Sequence, residues 1–148
     1  MSIRKEQVTS VMNLDPELRY QHTIKEIVAY ESVWILTSTL DQTWAYMSTD
    51  KQEVLSLAIW PHAEYAETCI KDKFASYEST EIPLDRFMKE ILPLIRDDGD
   101  EFCVCMNDTY TAQLCDATYL SNDLKSEINS ILASYDENQD DYFVIDKE

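Results

Sequence analysis

Val33-Trp34-Ile35-Leu36-Thr37, Thr43-Trp44-Ala45-Tyr46-Met47 and Val54-Leu55-Ser56-Leu57-Ala58-Ile59-Trp60 are the stretches whose reading decides the fold. All three favour extended backbone, because β-branched and aromatic side chains suit a pleated, half-buried surface. Thr39-Leu40-Asp41-Gln42 separates the first two runs, which fits a hairpin with a longer loop. In the third run Leu55, Leu57 and Ile59 alternate onto one face. Residues 33–60 are therefore expected to form a three-stranded antiparallel meander.

On the N-terminal side the period changes from two to helical. Val8, Val11 and Met12 suggest a short first helix. Asp15-Pro16 is a helix start, since Asp suits the cap and Pro the first turn, where a missing N–H costs nothing. Tyr20, Ile24, Ile27 and Val28 then make one apolar stripe, predicting a helix over about 16–30.

On the C-terminal side Trp60-Pro61 closes the third strand. Ala66, Cys69, Ile70 and Phe74 trace a helix over about 62–74, and a short extended piece is expected near Glu81-Ile82-Pro83. Asp85 is expected to cap a helix striped by Leu84, Phe87, Met88, Ile91, Leu92 and Ile95, with Pro93 kinking or ending it near Leu92. Asp97-Asp98-Gly99-Asp100 reads as a turn. Phe102 to Met106 is apolar on both faces and reads as a central buried strand, with Tyr110 to Cys115 as its neighbour. Ser121 or Asn122 is expected to cap a last helix striped by Leu120, Leu124, Ile128, Ile131, Leu132 and Tyr135. The sum is an α+β domain over residues 1–135, with an acidic tail at 136–148. Its sheet is expected to be mixed or largely antiparallel, the meander plus later strands, covered by about four helices.

Several of these residues also carry a family pattern. Arg19-Tyr20-Gln21-His22-Thr23-Ile24-Lys25, Val33-Trp34-Ile35-Leu36, a lone Trp44, Trp60-Pro61-His62-Ala63-Glu64-Tyr65-Ala66 with Cys69 soon after, and Ile82-Pro83-Leu84-Asp85-Arg86-Phe87 occur in order. In this the chain resembles the bacterial "domain of unknown function 2750" proteins over roughly residues 5 to 135. The block from Trp60 to Ala66 is the most specific part. The chain departs from the pattern at Phe102–Met106, where cysteines replace aliphatic residues, and in its acidic tail. The resemblance implies a one-domain fold and carries no mechanism.

Charge narrows the function classes. The chain of 148 residues has a formal net charge of −17. Residues 1–96 hold ten basic and fifteen acidic side chains, whereas residues 97–148 hold two basic and fourteen acidic. Such a surface repels phosphate backbones and anionic lipid, so neither nucleic acid nor membrane is an expected partner. It attracts and steers basic proteins. A single glycine, Gly99, excludes a Gly-rich phosphate loop. The N-terminus goes polar at once and no apolar run approaches a membrane span, so a cytoplasmic protein is expected.

Candidate chemistry is sparse. No cofactor motif is seen and no catalytic set is assigned. Cys69, Cys103, Cys105 and Cys115 are expected as buried thiols. A zinc site from Cys103, Cys105, Cys115 and His62 requires the fold to bring them together. A Cys69–His62 pair on one helical face is the lone nucleophilic candidate. Asp136, Asn138 and Asp140 match the first liganding positions of a calcium loop, but Asp141 stands where glycine is needed and Lys147 where the bidentate glutamate is needed. Trp60-Pro61-His62 is expected at an exposed corner. With Trp44, Glu64 and Tyr65 it makes the candidate partner-binding surface.

Three functions are open on this reading. One is a non-enzymatic acidic protein-binding module, an inhibitor or immunity-type antagonist of a basic partner. The second is a small-ligand-binding or hydrolytic enzyme with a pocket near His62 and Cys69. The third is a nucleic-acid mimic.

Overall fold

The computed structural model describes residues 4–140. After α1 (Lys5–Met12), Asp15 and Pro16 open α2 (Pro16–Tyr30), with Asp15 at the cap position and its carbonyl accepting from Arg19 N at 2.9 Å. Glu31 ends α2 in the left-handed conformation (φ 55°), which turns the chain directly into β1 (Ser32–Ser38). β2 (Tyr46–Ser48) and β3 (Leu55–Ile59) follow.

The α+β class and the mixed sheet are as expected, but the meander is realised only in part. β2 and β3 pair antiparallel, while β1 forms its ladder with β4 (Tyr77–Pro83), from Ser32↔Pro83 to Ser38↔Tyr77. β1 pairs with the residues flanking the other two strands only through isolated bridges, Thr37↔Trp44 and Trp34↔Trp60. Trp34 and Trp44 are thus not cross-strand partners. The physical reason is that six of β1's seven residues are buried, so it needs cover on both faces. The long partner β4 supplies a full edge, which the three-residue β2 does not.

β5 (Glu101–Val104) lies inside the second sheet, in the order β2-β3-β5-β6, parallel to β3 and antiparallel to β6 (Gln113–Asp116). That central position explains why Phe102, Cys103 and Val104 are buried on both faces. The parallel β3–β5 pair requires a long crossover, and residues 60–100 provide it.

The crossover departs from the expected helices. The helix expected over 62–74 is α3 (Ala63–Glu67) plus a separate 3-10 turn at Asp72–Phe74. Thr68 Oγ1 donates to the Tyr65 carbonyl at 2.7 Å, taking an acceptor that another helical turn needs. The next helical run starts at Leu84 after Pro83, and Asp85 sits inside it. Pro93 neither ends nor breaks this run. Between α4 (Leu84–Arg86) and α5 (Leu92–Asp98) residues Phe87–Ile91 form a π turn, in which Leu92 N–H bonds the Phe87 carbonyl five residues back. A proline clashes with the carbonyl four residues earlier and lacks the N–H to bond it, and widening the helix just before Pro93 relieves both. Gly99 closes α5 in the left-handed conformation (φ 77°), as the turn at 97–100 requires.

The last helix, α6, spans Ala117–Asp140, beginning earlier than Ser121 and passing the boundary expected at 135. Asp116 Oδ1 accepts from Tyr119 N at 2.8 Å and fixes that early start. Leu120 and Leu124 of α6 are buried, whereas Ile131, Leu132 and Tyr135 are exposed, so the stripe outruns the body it covers. α2 and α6 pack on each other and on β5 and β6. Among the described residues, no helix is long and apolar enough to cross a membrane.

Candidate functional site

The block from Trp60 to Ala66 leaves β3 and enters α3 through the centre of the molecule. Trp34 and Trp60 exchange backbone hydrogen bonds at 2.8 and 2.9 Å, which anchors the end of β3 to β1. The Trp60 indole is wholly buried, and its Nε1 donates to the Met106 carbonyl at 2.9 Å. Pro61 is buried too. His62 then takes the cap position of α3 in extended conformation (φ −147°), and its carbonyl accepts from Tyr65 N and Ala66 N.

The corner expected to be exposed is therefore interior. Trp60, His62 and Tyr65 are buried, and of the five residues assigned to that surface only Trp44 and Glu64 are half-buried. Pro61 reads in sequence as a surface turn, but β3 is followed by a helix that packs back on β1 and β4.

The side chains of this block meet polar residues of α1 and α2. His62 Nε2 lies 2.8 Å from Glu26 Oε1, and the Tyr30 ring stands edge-on to the imidazole at 4.6 Å. Tyr65 Oη lies 3.4 Å from His22 Nε2 and accepts from Gln7 Nε2 at 3.4 Å. Burial pushes the Tyr65 phenol up to about 12. Burial also lowers His22, against the pull of Glu26 and with the push of His62. These contacts tie α1, α2 and α3 together. A His–carboxylate pair has the form of a base and its orienting group, so the question is whether a nucleophile accompanies it.

Cys69 does not fill that role. Its Sγ is wholly buried, donates toward the Met106 carbonyl at 3.3 Å, and is raised above the ordinary thiol range by burial. A protonated, enclosed thiol is inert. Five clefts of the described surface are lined by neither His62 nor Cys69.

The zinc arrangement does not assemble. Cys115 sits opposite Phe102 and Cys103 opposite Leu114, so the two thiols face opposite sides of the sheet. Cys105 leaves the strand with φ 54°. Burial pushes Cys103, Cys105 and Cys115 up to about 12. Among the described residues, no three His, Cys, Asp or Glu are grouped to hold a metal ion. The side chains of Asp136, Asn138 and Asp140, the calcium candidates, lie outside what is described.

Sequence reasoning named Arg19 only within the family pattern and gave it no role. Its side chain is 1% exposed, yet it meets no carboxylate. Nη1 donates to the Cys105 carbonyl and to the Thr111 carbonyl at 2.8 Å, Nη2 to Thr111 Oγ1 at 3.0 Å, and Nε to the Leu14 carbonyl at 3.1 Å. The guanidinium fork thereby holds the end of β5 and the loop before β6 against α2. The signal available in sequence was an arginine one residue before the Tyr20 stripe, in the turn following Pro16.

A family model, described as "Protein of unknown function", matches residues 20–124. The chain belongs to the DUF2750 family. Neither a curated protein nor a solved structure matches it significantly. The DUF2750 match includes the buried Trp60–Ala66 block, its partners His22 and Glu26, and every strand from β1 to β6. In this DUF2750 chain, the block's aromatic and histidine residues join the sheet to its helices.

Proposed function

We propose that the chain is a non-enzymatic acidic protein-binding module, an inhibitor- or immunity-type antagonist whose carboxylates cover a basic partner. The observation that supports this reading is where the carboxylates lie. Among the described residues no Asp or Glu side chain is buried. The Lys/Arg–carboxylate pairs seen are Lys51–Glu101, Arg86–Glu90 and Arg96–Asp97, against a net charge of −17. Among the described residues the acids therefore lie outside the core, and their field reaches solvent. Such a field raises encounter rates with positive surfaces and penalises negative ones.

The test is affinity capture from host lysate with the full chain, across a salt series. A basic protein is expected to be retained at low salt and released as screening sets in, since the Debye length shrinks to about 8 Å near 0.15 M. Capture indifferent to salt, capture of acidic proteins, or no capture at all contradicts the proposal.

A further inference from the structure

With 29 acids against 12 lysines and arginines, carboxylates are expected beside almost every concavity of this surface. Two clefts conform. The cleft between α2 and α6 holds Glu17, Asp123 and Glu127 beside Lys25, and the cleft at β6 holds Asp50, Glu101 and Asp116 beside Lys51.

A third cleft does not conform. It lies between the helical run 84–98 and the start of α6, measures about 460 Å³, and is lined by Lys89, Arg96 and Lys125 with no Asp or Glu. Arg96 Nε contacts the exposed Asp97 at 3.1 Å. Lys89 and Lys125 have no carboxylate partner among the described residues. The acids nearest Lys89 in sequence are engaged elsewhere: Asp85 Oδ1 accepts from Arg86 N at 2.9 Å, and Glu90 pairs with Arg86 at 3.1 Å. One turn before Lys125 the α6 face carries Ser121 and Asn122, which are neutral donors. Met88 and Leu92 give the cleft an apolar side.

Met88 and Lys89 belong to the π turn at Phe87–Ile91. The N-terminus of α6 adds little, because the Asp116 side chain already caps it.

We infer that this cleft binds a small organic phosphate, with its dianionic head among Lys89, Arg96 and Lys125 and its apolar body on Met88 and Leu92. Three cations lining one cleft, of which Arg96 is shared with Asp97, match a dianion better than a single carboxylate. The volume falls in the range of small-ligand sites, about 300–1,000 Å³. The surrounding acidity selects for small size. A nucleic acid or membrane would extend over neighbouring carboxylates and be repelled, while a compact dianion feels mainly the charges within about one Debye length. This site is independent of the proposed basic partner.

The test is an amide chemical-shift titration of the ¹⁵N-labelled full chain with phenyl phosphate at about 0.15 M ionic strength, where the Debye length is about 8 Å. Saturable shifts are expected in the π turn, α5 and the first turns of α6. Affinity is expected to fall roughly tenfold in the Lys89→Gln/Lys125→Gln double variant and to hold in Lys5→Gln, an exposed lysine remote from the cleft. Inorganic phosphate is expected to shift the same amides more weakly. No saturable shift, shifts centred elsewhere, an unaffected double variant, or equal affinity for inorganic phosphate overturns the inference.

Discussion

Arg19 brings a guanidinium into the interior and satisfies it with three backbone carbonyls and one hydroxyl rather than a counter-ion. Removing it takes the guanidinium donor from the buried Cys105 carbonyl, and a lysine retains the charge without the planar fork. Arg19→Lys is therefore expected to lower stability by about 2–4 kcal/mol, read from urea denaturation. A loss below about 0.5 kcal/mol contradicts the clamp. His22 carries a pH prediction. Burial lowers it from 6.5, so the folded state holds the imidazole neutral while the unfolded chain takes up a proton. The unfolded state binds more protons, and stability falls as the pH drops below 6.5. Between about pH 7.5 and pH 5.5 the native chain is expected to lose more stability than His22→Gln. Equal losses contradict it. At this scale the sequence was partly legible. Tyr20, Ile24, Ile27 and Val28 share a buried stripe because helical period is local information. The burial of Arg19 and His62 was not legible, since their acceptors at Cys105, Thr111 and Glu26 come from distant segments.

At the scale of elements, the pairing of β1 with β4 is what separates this fold from a simple meander. Thr37 and Thr80 meet across that ladder, with Oγ1 atoms 2.7 Å apart. A double-mutant cycle with Thr37→Val and Thr80→Val is expected to give a coupling of about 0.5–1 kcal/mol. Zero coupling contradicts the β1–β4 register. The partner was hidden in sequence because β4 reads Tyr-Glu-Ser-Thr-Glu-Ile-Pro, polar and without a clear alternation, and lies about forty residues from β1. The centrality of β5 was legible, since Phe102 to Val104 offers no polar face. The π turn before Pro93 was half legible. Proline announces a local disturbance, but whether the helix stops or widens depends on the core that holds Phe87 and Ile91 in place, including the Phe102 ring 5.6 Å from Phe87.

For the whole molecule, an excess of negative charge left outside the core has a cost and a use. Self-repulsion opposes the compact state, so added sodium chloride is expected to raise the thermal midpoint through screening; a midpoint that falls with salt contradicts un-neutralised carboxylates. The use is in choosing partners, and it is tested most directly by kinetics. With the captured partner in purified form, the association rate constant is measured against ionic strength. The account predicts a rate that falls by about tenfold or more between about 20 and 200 mM salt, with dissociation changing less. An association rate that stays flat over that range contradicts it.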